Sequence, residues 1–194
     1  MEAKITEFFS QYSSHAYAKG QVLILNGERP DHIYFLEEGR VKQYDVTYRG
    51  EEVILNVFKP NAFFPMSMAI NNTDNPYLYE AETDVVVRQA PAQEVVNFVK
   101  ANPDVLFDLL SRVYRGLDGI LGRMAFLMAS GAKGRLMYEL IIESRRFGRE
   151  LSEGVYVITS SEKELGARAG LSRETVSRAM AKLKKEGILR VTGK

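Results

Sequence analysis

Residues 170–189 read GLSRETVSRAMAKLKKEGIL and carry the clearest structural signal in the chain. The pair Gly170-Leu171 predicts a tight turn, since glycine adopts the left-handed backbone conformation without steric cost. Ser172 is a natural N-cap, and Gly187 is a natural stop signal just beyond the last helical turn. The stretch therefore predicts a turn followed by a helix that runs to about residue 186.

A second, shorter helix is predicted before this turn. Ser161 followed by Glu164 is a capping box, which predicts a helix from there to about Ala169. Two short helices joined by a tight turn form a helix-turn-helix, whose second helix enters the DNA major groove with its N-terminal end first. The alternative is a charged, solvated face on an ordinary bundle helix. The cap, the turn and the polar face together favour the DNA-binding motif.

The polar face of the second helix supplies the candidate base-reading residues, which are Arg173, Glu174, Ser177 and Arg178. Arginine can donate two hydrogen bonds to guanine O6 and N7, and glutamate can accept one from cytosine N4. Val176, Met180 and Leu183 are expected to face inward. The candidate phosphate contacts are Ser161, Ser172, Lys182, Lys184 and Lys185.

Charge is distributed unevenly along the chain. Residues 1–132 carry 12 Lys and Arg against 17 Asp and Glu, whereas residues 133–194 carry 14 against 8. The basic C-terminal segment can approach a polyanion, and the acidic remainder would not. The overall composition, 45% apolar and 26% charged, is that of an ordinary globular protein.

The composition also excludes several classes of site. The sequence contains no cysteine, which excludes disulfides, thiol redox chemistry and cysteine-ligated metal centres, iron–sulfur clusters included. The two histidines, His15 and His32, lack the spacing of a metal site, so no metal ligand is expected. We see no nucleophile–base pair and no phosphate-binding loop, and expect no enzyme activity. With no signal-peptide pattern and no apolar run near the roughly 18 residues of a membrane span, we expect a cytoplasmic protein without a membrane partner.

The N-terminal part alternates between strand-like and turn-like segments. Between residues 20 and 87 the runs VLIL, HIYFL, RVKQYDV, EEVILNVF and VVV are separated by segments such as NGERPD, YRGEE and NNTDNP. Short runs rich in Val, Ile, Tyr and Phe at this spacing are typical of strands joined by turns. They predict a compact antiparallel sandwich or roll.

A long helix is predicted after this roll. Its apolar residues recur at steps of four and three and are Leu106, Leu110, Val113, Leu117, Ile120, Met124 and Leu127. Such a heptad row predicts a coiled-coil seam and hence a homodimer. The alternative is an amphipathic helix lying on the chain's own sheet, which Leu109, Leu121 and Met128 favour by widening the row. The sequence does not explain Gly116, Gly119 and Gly122 in this helix, where each costs roughly 0.5–1 kcal/mol relative to alanine.

These features together resemble the cyclic-AMP receptor protein/Fnr (Crp/Fnr) family of bacterial transcription regulators. The resemblance covers residues 19–189. It rests on KG at 19–20, NGE at 26–28, Tyr34, EEGRVK at 37–42, Gly50 with Glu52, Pro60 before Phe63-Phe64, and GLSRETVSR at 170–178.

The resemblance implies an α+β fold with three parts. Residues 1–103 would hold an N-terminal helix and an antiparallel β-roll of the cyclic-nucleotide-binding, double-stranded jelly-roll type. Residues 104–130 would be the dimerisation helix, and residues 131–194 a winged helix-turn-helix. The resemblance further implies an effector-driven reorientation of the DNA-binding halves about a hinge near residues 129–134, and RNA polymerase as a further partner.

The effector region departs from the family pattern. Members that bind cyclic nucleotides carry Pro-Gly-x-Phe-x-Gly-Glu, followed later by Arg-Ser, whose Glu and Arg hold the ribose and the phosphate. This chain has Pro65 and Met66 in place of the second glycine and the glutamate, and Asn75-Pro76 in place of Arg-Ser. Cyclic AMP is therefore not expected to bind, because its buried polar groups would lack partners.

The substituted region is rich in methionine and aromatic residues, which suit an apolar or aromatic small molecule. The candidate contacts are Phe63, Phe64, Met66, Met68, Tyr77 and Tyr79, with Tyr114 or Arg115 reaching in from the long helix. The alternative is that these side chains fill the former pocket and nothing binds. No cofactor is expected.

Three functional hypotheses follow from the sequence. The first is a homodimeric, sequence-specific DNA-binding transcription regulator whose roll senses a small molecule other than cyclic AMP. The second is the same regulator with a vestigial, ligand-free roll, controlled by its abundance. The third is a ligand-binding module without a DNA role, against which the basic helix-turn-helix argues.

The resemblance also implies a DNA target. One family subgroup reads TGTGA with Arg-Glu and a later Arg, and another reads a half-site containing TTGAT with Glu and a later Ser-Arg. Glu174 and Arg178 are common to both sets, and TGA is common to both half-sites, so inverted half-sites with a TGA core are expected. The family usually adds a second wing strand after a turn such as residues 191–194, and the sequence leaves the completeness of this wing open.

Overall fold

A computed structural model describes residues 2–191. The chain divides into two compact units, residues 1–113 and residues 114–194. The first unit combines two sheets with helices, and the second is built mainly from helices. Within residues 2–191, no helix is both long enough and apolar enough to cross a bilayer.

The first unit contains two four-stranded antiparallel sheets. Its strands are β1 (Ser14–Tyr17), β2 (Val22–Ile24), β3 (His32–Glu38), β4 (Val41–Val46), β5 (Glu52–Phe58), β6 (Phe63–Phe64), β7 (Leu78–Ala81) and β8 (Val85–Pro91). One sheet has the order β1-β8-β3-β6, and the other has the order β2-β7-β4-β5. Neighbouring strands pair antiparallel in both sheets. This is the predicted antiparallel roll.

Helices cover the outer side of the first sheet. They are α1 (Glu2–Ser10), α2 (Met66–Asn71), α3 (Ala92–Ala101) and the first part of α4 (Pro103–Ala129). Strand β3 separates two cores, because alternate side chains of a strand point to opposite faces. Ile33 and Phe35 pack toward the helices, whereas Leu36 packs into the interior between the sheets.

The predicted seam of α4 is exposed in the single chain. The exposed fractions of its seven side chains lie between 43% and 64%. In contrast, Val105 in the first turn of α4 is fully buried in the helix-facing core. An apolar row this long on one helix face is unusual for a surface that stays in water.

The second unit begins within α4 and continues through five further helices and strands. These are α5 (Ala132–Phe147), the hairpin β9 (Arg149–Ser152) and β10 (Val155–Val157), α6 (Glu162–Ala169) and α7 (Arg173–Lys185). Leu136, Leu165, Val176, Ala179 and Leu183 form a core between α5, α6 and α7. Strands β9 and β10 pair antiparallel. Residues 188–191 adopt no strand, and the completeness of the wing falls on residues outside those described.

A contact within the second unit explains one of the three glycines of α4, Gly122. The Tyr138 hydroxyl of α5 donates a hydrogen bond to the Gly119 carbonyl oxygen at 3.2 Å. A Cβ atom at Gly122 would overlap this hydroxyl, so the tyrosine can sit on α4 only because Gly122 has no side chain. An added Cβ at Gly116 would meet no atom within 4 Å.

Candidate nucleic-acid interface

Local hydrogen bonds build the turn between α6 and α7. The Ser161 backbone N–H donates to a Glu164 carboxylate oxygen at 2.7 Å, and the Glu164 backbone N–H donates to Ser161 Oγ at 3.2 Å. Helix α6 ends at Ala169 and is capped by Gly170, whose φ of 62° is left-handed. Helix α7 begins after Ser172, whose Oγ accepts a hydrogen bond from the Thr175 backbone N–H at 3.3 Å. The predicted capping box, turn and N-cap are confirmed.

The turn approaches α6 closely at Gly166. The Leu171 backbone N–H donates to the Gly166 carbonyl at 3.0 Å. A Cβ added to Gly166 would lie 2.6 Å from the Leu171 carbonyl oxygen and 3.4 Å from a methyl group of Val176. Because real Cβ atoms do not approach a backbone oxygen so closely, a larger residue would push the turn and α7 away from α6.

The four candidate base-reading residues, Arg173, Glu174, Ser177 and Arg178, are all exposed on α7. Positions 174, 177 and 178 are three and four residues apart and therefore lie side by side. On the opposite face, Val176 and Leu183 are fully buried and Met180 is partly buried against the same core. The predicted inward face of the helix is confirmed, and its outer face is polar.

Glu174 and Arg178 present opposite charges at the start of α7. The Glu174 backbone N–H lowers the pKa of the Glu174 carboxyl, and the Ser172 hydroxyl lowers it further. The guanidinium groups of Arg173 and Arg178 act in the same direction. The Arg178 Nη2 atom donates to Thr175 Oγ1 at 3.3 Å. A carboxylate acceptor and a guanidinium donor thus stand together, and these are the groups that distinguish base edges in the major groove.

Thr175 is a residue that sequence reasoning missed. Its Oγ1 lies 3.1 Å from Ser172 Oγ and accepts the hydrogen bond from Arg178. Thr175 therefore contacts both the N-cap residue Ser172 and the guanidinium of Arg178, and it helps to orient that guanidinium. A hydroxyl three residues after a cap and three before an arginine is the sequence signal that could have identified it.

The candidate phosphate contacts fall into two groups. The hydroxyls of Ser161 and Ser172 are engaged in the helix caps. Lys182, Lys184 and Lys185 are exposed on the last turn of α7. Lys185 lies three helical turns from residue 174 on the same face, whereas the other two lysines flank that face.

Two buried ion pairs support the helices beneath this surface. Glu139 and Glu143 lie one turn apart on α5 and are 2% and 3% exposed. Arg123 of α4 donates to both carboxylate oxygens of Glu139, at 2.5 and 3.0 Å. Arg168 of α6 donates to Glu143, and Ser160 Oγ donates to the same carboxylate at 2.7 Å. The sequence did not reveal these pairs, although both glutamates recur at the helical spacing of the core residue Leu136.

The interior of the roll is filled by stacked rings. The Phe64 ring centroid lies 4.7 Å from that of Phe58, 5.4 Å from that of Tyr79 and 6.0 Å from that of Tyr34. Phe64 is 1% exposed and Tyr79 is 2% exposed. Burial raises the pKa of Tyr34 to about 12 and raises that of Tyr79 as well, so both phenols stay neutral.

The candidate effector residues do not form one cluster. Phe64 and Tyr79 lie in the interior between the sheets, with Tyr77 packed against the same cluster. Phe63 is buried in the helix-facing core, and Met66 packs against that core. Met68 is buried on α2, with its sulfur 2.9 Å from Ser67 Oγ. Tyr114 and Arg115 belong to the second compact unit and are exposed.

Asn75, which stands where the family's arginine is expected, has a different role. It is fully buried. Its Nδ2 donates to the Leu25 carbonyl at 2.9 Å and to the Tyr77 carbonyl at 2.6 Å, and its Oδ1 accepts from the Tyr77 backbone N–H at 3.1 Å. Both amide donors are thus used to join the backbone segments around residues 25 and 77.

Two family models match the chain, one in each unit. The cyclic nucleotide-binding domain matches residues 14–102, and the Crp-like helix-turn-helix domain matches residues 134–194. The chain belongs to the Crp/Fnr family of transcription regulators. The seam-bearing part of α4 lies between the two matched regions. Members of the Crp/Fnr family are regulators rather than enzymes, and this chain carries their DNA-binding motif.

Individual relatives agree with this assignment. The transcriptional regulator SdrP of Thermus thermophilus is 29% identical over 160 residues, which cover 82% of this chain and 75% of SdrP. The fumarate and nitrate reduction regulatory protein of Escherichia coli is 25% identical over 177 residues, 91% of this chain and 70% of that protein. The crystal structure of TTHA1359, a CRP/FNR-family regulator from Thermus thermophilus, has a TM-score of 0.74 at 27% identity and covers 93% of this chain and 90% of that one.

The close approach at Gly166 predicts the effect of a single methyl group. Gly166→Ala should lower the free energy of unfolding of the second unit by about 1–3 kcal/mol, as overpacking does. Gly116→Ala is the matched control, because the added methyl group meets nothing within 4 Å and should raise helix stability by about 0.5–1 kcal/mol. Chemical denaturation followed by circular dichroism measures both. An unchanged stability in Gly166→Ala would show that the turn is not constrained by this contact.

Proposed function

We propose that the chain acts as a homodimer that binds an inverted DNA repeat and presents one copy of α7 to each half-site. The observation that carries this proposal is the exposed polar face of α7, which is fixed on a buried apolar core by a capping box, a glycine turn and an N-cap. A helix presented in this way fits the major groove with its N-terminal residues at the base edges.

The seam of α4 supports the dimer. Its seven apolar side chains remain between 43% and 64% exposed in the single chain. Their heptad spacing fits a second copy of the same helix, since a parallel two-stranded coiled coil buries apolar residues that recur at alternating steps of four and three. A two-fold dimer brings the same surface of both copies together and matches the symmetry of an inverted operator.

We assign the TGA core of each half-site to Glu174 and Arg178. Arg178 would donate to the guanine, and Glu174 would accept from a nearby cytosine. Arg173 would favour a further G·C pair upstream, and Ser177 would lie beside this group. The lysines at the end of α7 would contact phosphates, which supply affinity without sequence preference.

For the roll, we infer that cyclic AMP is not the effector. The amide donors of Asn75 are both used within the protein. The Met66 side chain has no hydrogen-bond donor or carboxylate for a ribose, and Pro65 lacks a backbone N–H. A cyclic nucleotide buried in this roll would therefore leave charged and polar groups without partners.

Two roles for the roll remain as proposals. In the first, a small molecule other than cyclic AMP binds and gates DNA binding. In the second, the roll is ligand-free and serves as a structural part of the dimer. The stacked interior favours the second role, because a ligand would have to displace Phe64 or Tyr79, which are 1% and 2% exposed.

The dimer proposal predicts that charges in the seam separate the subunits. Replacing both Leu117 and Ile120 by lysine should yield monomers, because the seam would then bring like charges together in an apolar contact. Asp118→Lys changes an exposed residue of the same turn and should leave the dimer intact. Sedimentation measures the mass of each variant. An unmodified protein that sediments as a monomer at micromolar concentration would rule out the seam.

The DNA proposal predicts two different kinds of variant. Arg178→Ala should cost about 1–3 kcal/mol of binding free energy and relax the preference for the core guanine. Lys184→Ala should instead weaken binding to all sequences alike and lower the slope of affinity against salt by about one charge. Selection from random duplexes identifies the preferred site. Enriched sites without an inverted TGA…TCA pair would contradict the assignment of Glu174 and Arg178.

The roll proposal predicts the response to ligands. Cyclic AMP should leave the thermal midpoint unchanged, whereas a ligand present at 100 times its Kd would add about 2.7 kcal/mol of stability. Phe64→Ala removes one interior ring and is the positive control, since an engineered apolar cavity accepts benzene. Stabilisation of the native protein by any member of a panel of metabolites and aromatic acids would support the gated role instead, and micromolar binding of cyclic AMP in calorimetry would overturn the inference on Asn75.

A further inference from the structure

The junction between α4 and α5 is held by a two-pronged ion pair. Arg123 Nε lies 2.5 Å from Glu139 Oε1, and Arg123 Nη2 lies 3.0 Å from Glu139 Oε2. The Glu139 side chain is 2% exposed, and that of Arg123 is 24% exposed. Two parallel hydrogen bonds between a planar guanidinium and a carboxylate fix orientation as well as distance.

An aromatic contact holds the same two helices one turn away. The Tyr138 ring stacks on Phe126, with the ring centroids 4.6 Å apart and the planes at 26°. The Tyr138 hydroxyl donates to the Gly119 carbonyl at 3.2 Å and lies against Gly122. These contacts join residues 119–126 of α4 to residues 138–139 of α5, and so they span the segment at residues 129–134 where the family resemblance implied a hinge.

The path of fixed contacts continues from α5 to the recognition helix. One turn beyond Glu139, Glu143 is paired with Arg168 of α6 and accepts from Ser160 at 2.7 Å. Helix α6 then meets the turn at Gly166 and the core that holds α7. A second contact bypasses α6, because Lys133 Nζ lies 2.6 Å from Glu186 Oε1 at the end of α7.

We propose that Gly122, Arg123 and Phe126 of α4, together with Tyr138 and Glu139 of α5, form a latch that sets the spacing between operator half-sites. The proposal rests on the proposed function, in which α4 pairs two copies and α7 reads DNA. Arg123 is next to the seam residue Met124 in sequence, so one helix carries both the subunit contact and the latch. Arg123 is a positioning residue: it acts on DNA through the direction of α7.

The spacing between half-sites that the dimer prefers depends on the direction of α7. Successive base pairs rotate around the duplex with a period of 10–10.5 bp, so a change of one base pair turns one half-site relative to the other. A dimer whose recognition helices have a fixed relative orientation therefore accepts one spacing. If the latch is lost, each α7 can turn on α4, and neighbouring spacings become acceptable without a change in the bases that each helix reads.

The experiment measures spacing preference apart from base preference. Duplexes carry two copies of the half-site selected by the native protein, inverted, with the spacer varied one base pair at a time. The variants are Arg123→Gln, which removes the two parallel hydrogen bonds from the guanidinium to Glu139, and Gly122→Ala, which displaces Tyr138 and changes no charge. The control is Arg112→Gln, since Arg112 lies on the same helix but pairs with Asp108 within α4 and with the Asn61 carbonyl of the roll.

Both latch variants should remain dimers in sedimentation and should keep the native preference for bases within a half-site. Their preference for the best spacing over its neighbours should fall by about tenfold, a typical size for coupling between two sites. Arg112→Gln should keep the native preference. A structural defect alone would lower affinity for every duplex equally and leave the ratio between spacings unchanged.

Two results separate the latch from the function on which it rests. If Arg123→Gln and Gly122→Ala select the native spacing as strictly as the native protein does, the latch proposal is wrong and the regulator stands. If Arg123→Gln does not fold, Gly122→Ala alone decides in the same way. If the native protein is monomeric or binds no inverted repeat, the proposed function fails, and the latch proposal fails with it.

Discussion

A buried carboxylate must have a cationic or hydrogen-bonding partner, and α5 buries two carboxylates one turn apart. An unpaired Glu139 or Glu143 would cost several kcal/mol, so α5 is stable only where an arginine of α4 reaches the first and an arginine of α6 reaches the second. Apolar packing around Leu136 would tolerate small rotations of the helices. The two ion pairs do not, because each requires a defined direction of approach. The position of the recognition helix relative to α4 follows from this constraint.

The roll depends on a different kind of constraint, the alternation of side chains along single strands. Strand β3 sends Ile33 and Phe35 to the helices and Leu36 to the interior, so one strand separates two independent cores. In the two-residue strand β6, Phe63 and Phe64 are divided in the same way. The interior core is completed by stacked rings, and Asn75 joins the backbone segments around residues 25 and 77. A fold that accommodates a ligand in other proteins is here stabilised by its own aromatic side chains.

The features that could be predicted from sequence are those whose partners lie close along the chain. Ser161 and Glu164 cap a helix three residues apart, and Gly170 and Ser172 form the turn that follows, so local chemistry is sufficient. The pair of Arg168 with Glu143 spans 25 residues, and no periodicity indicates it. Adjacency was also misleading in one place. The segment containing Phe63, Phe64 and Met66 resembled the apolar lining of one pocket, but the alternation of side chains along the strand distributes it between two cores. The glycine at position 122 was likewise unexplained by the sequence, and only the contact of Tyr138 with α4 accounts for it.

If the exposed row on α4 pairs two chains as proposed, it has a consequence for how gene control depends on protein concentration. A chain that reads DNA only as a pair is subject to mass action, and at low concentration the amount of dimer grows with the square of the free chain. Doubling the synthesis rate then raises the amount of dimer about fourfold, and the occupancy of a two-part operator rises more steeply than it would for a monomeric binder. Dilution by cell growth acts with the same steepness in the opposite direction. In the proposed dimer, apolar side chains on one helix face would thereby make the occupancy of the operator respond more steeply to the rate of protein production.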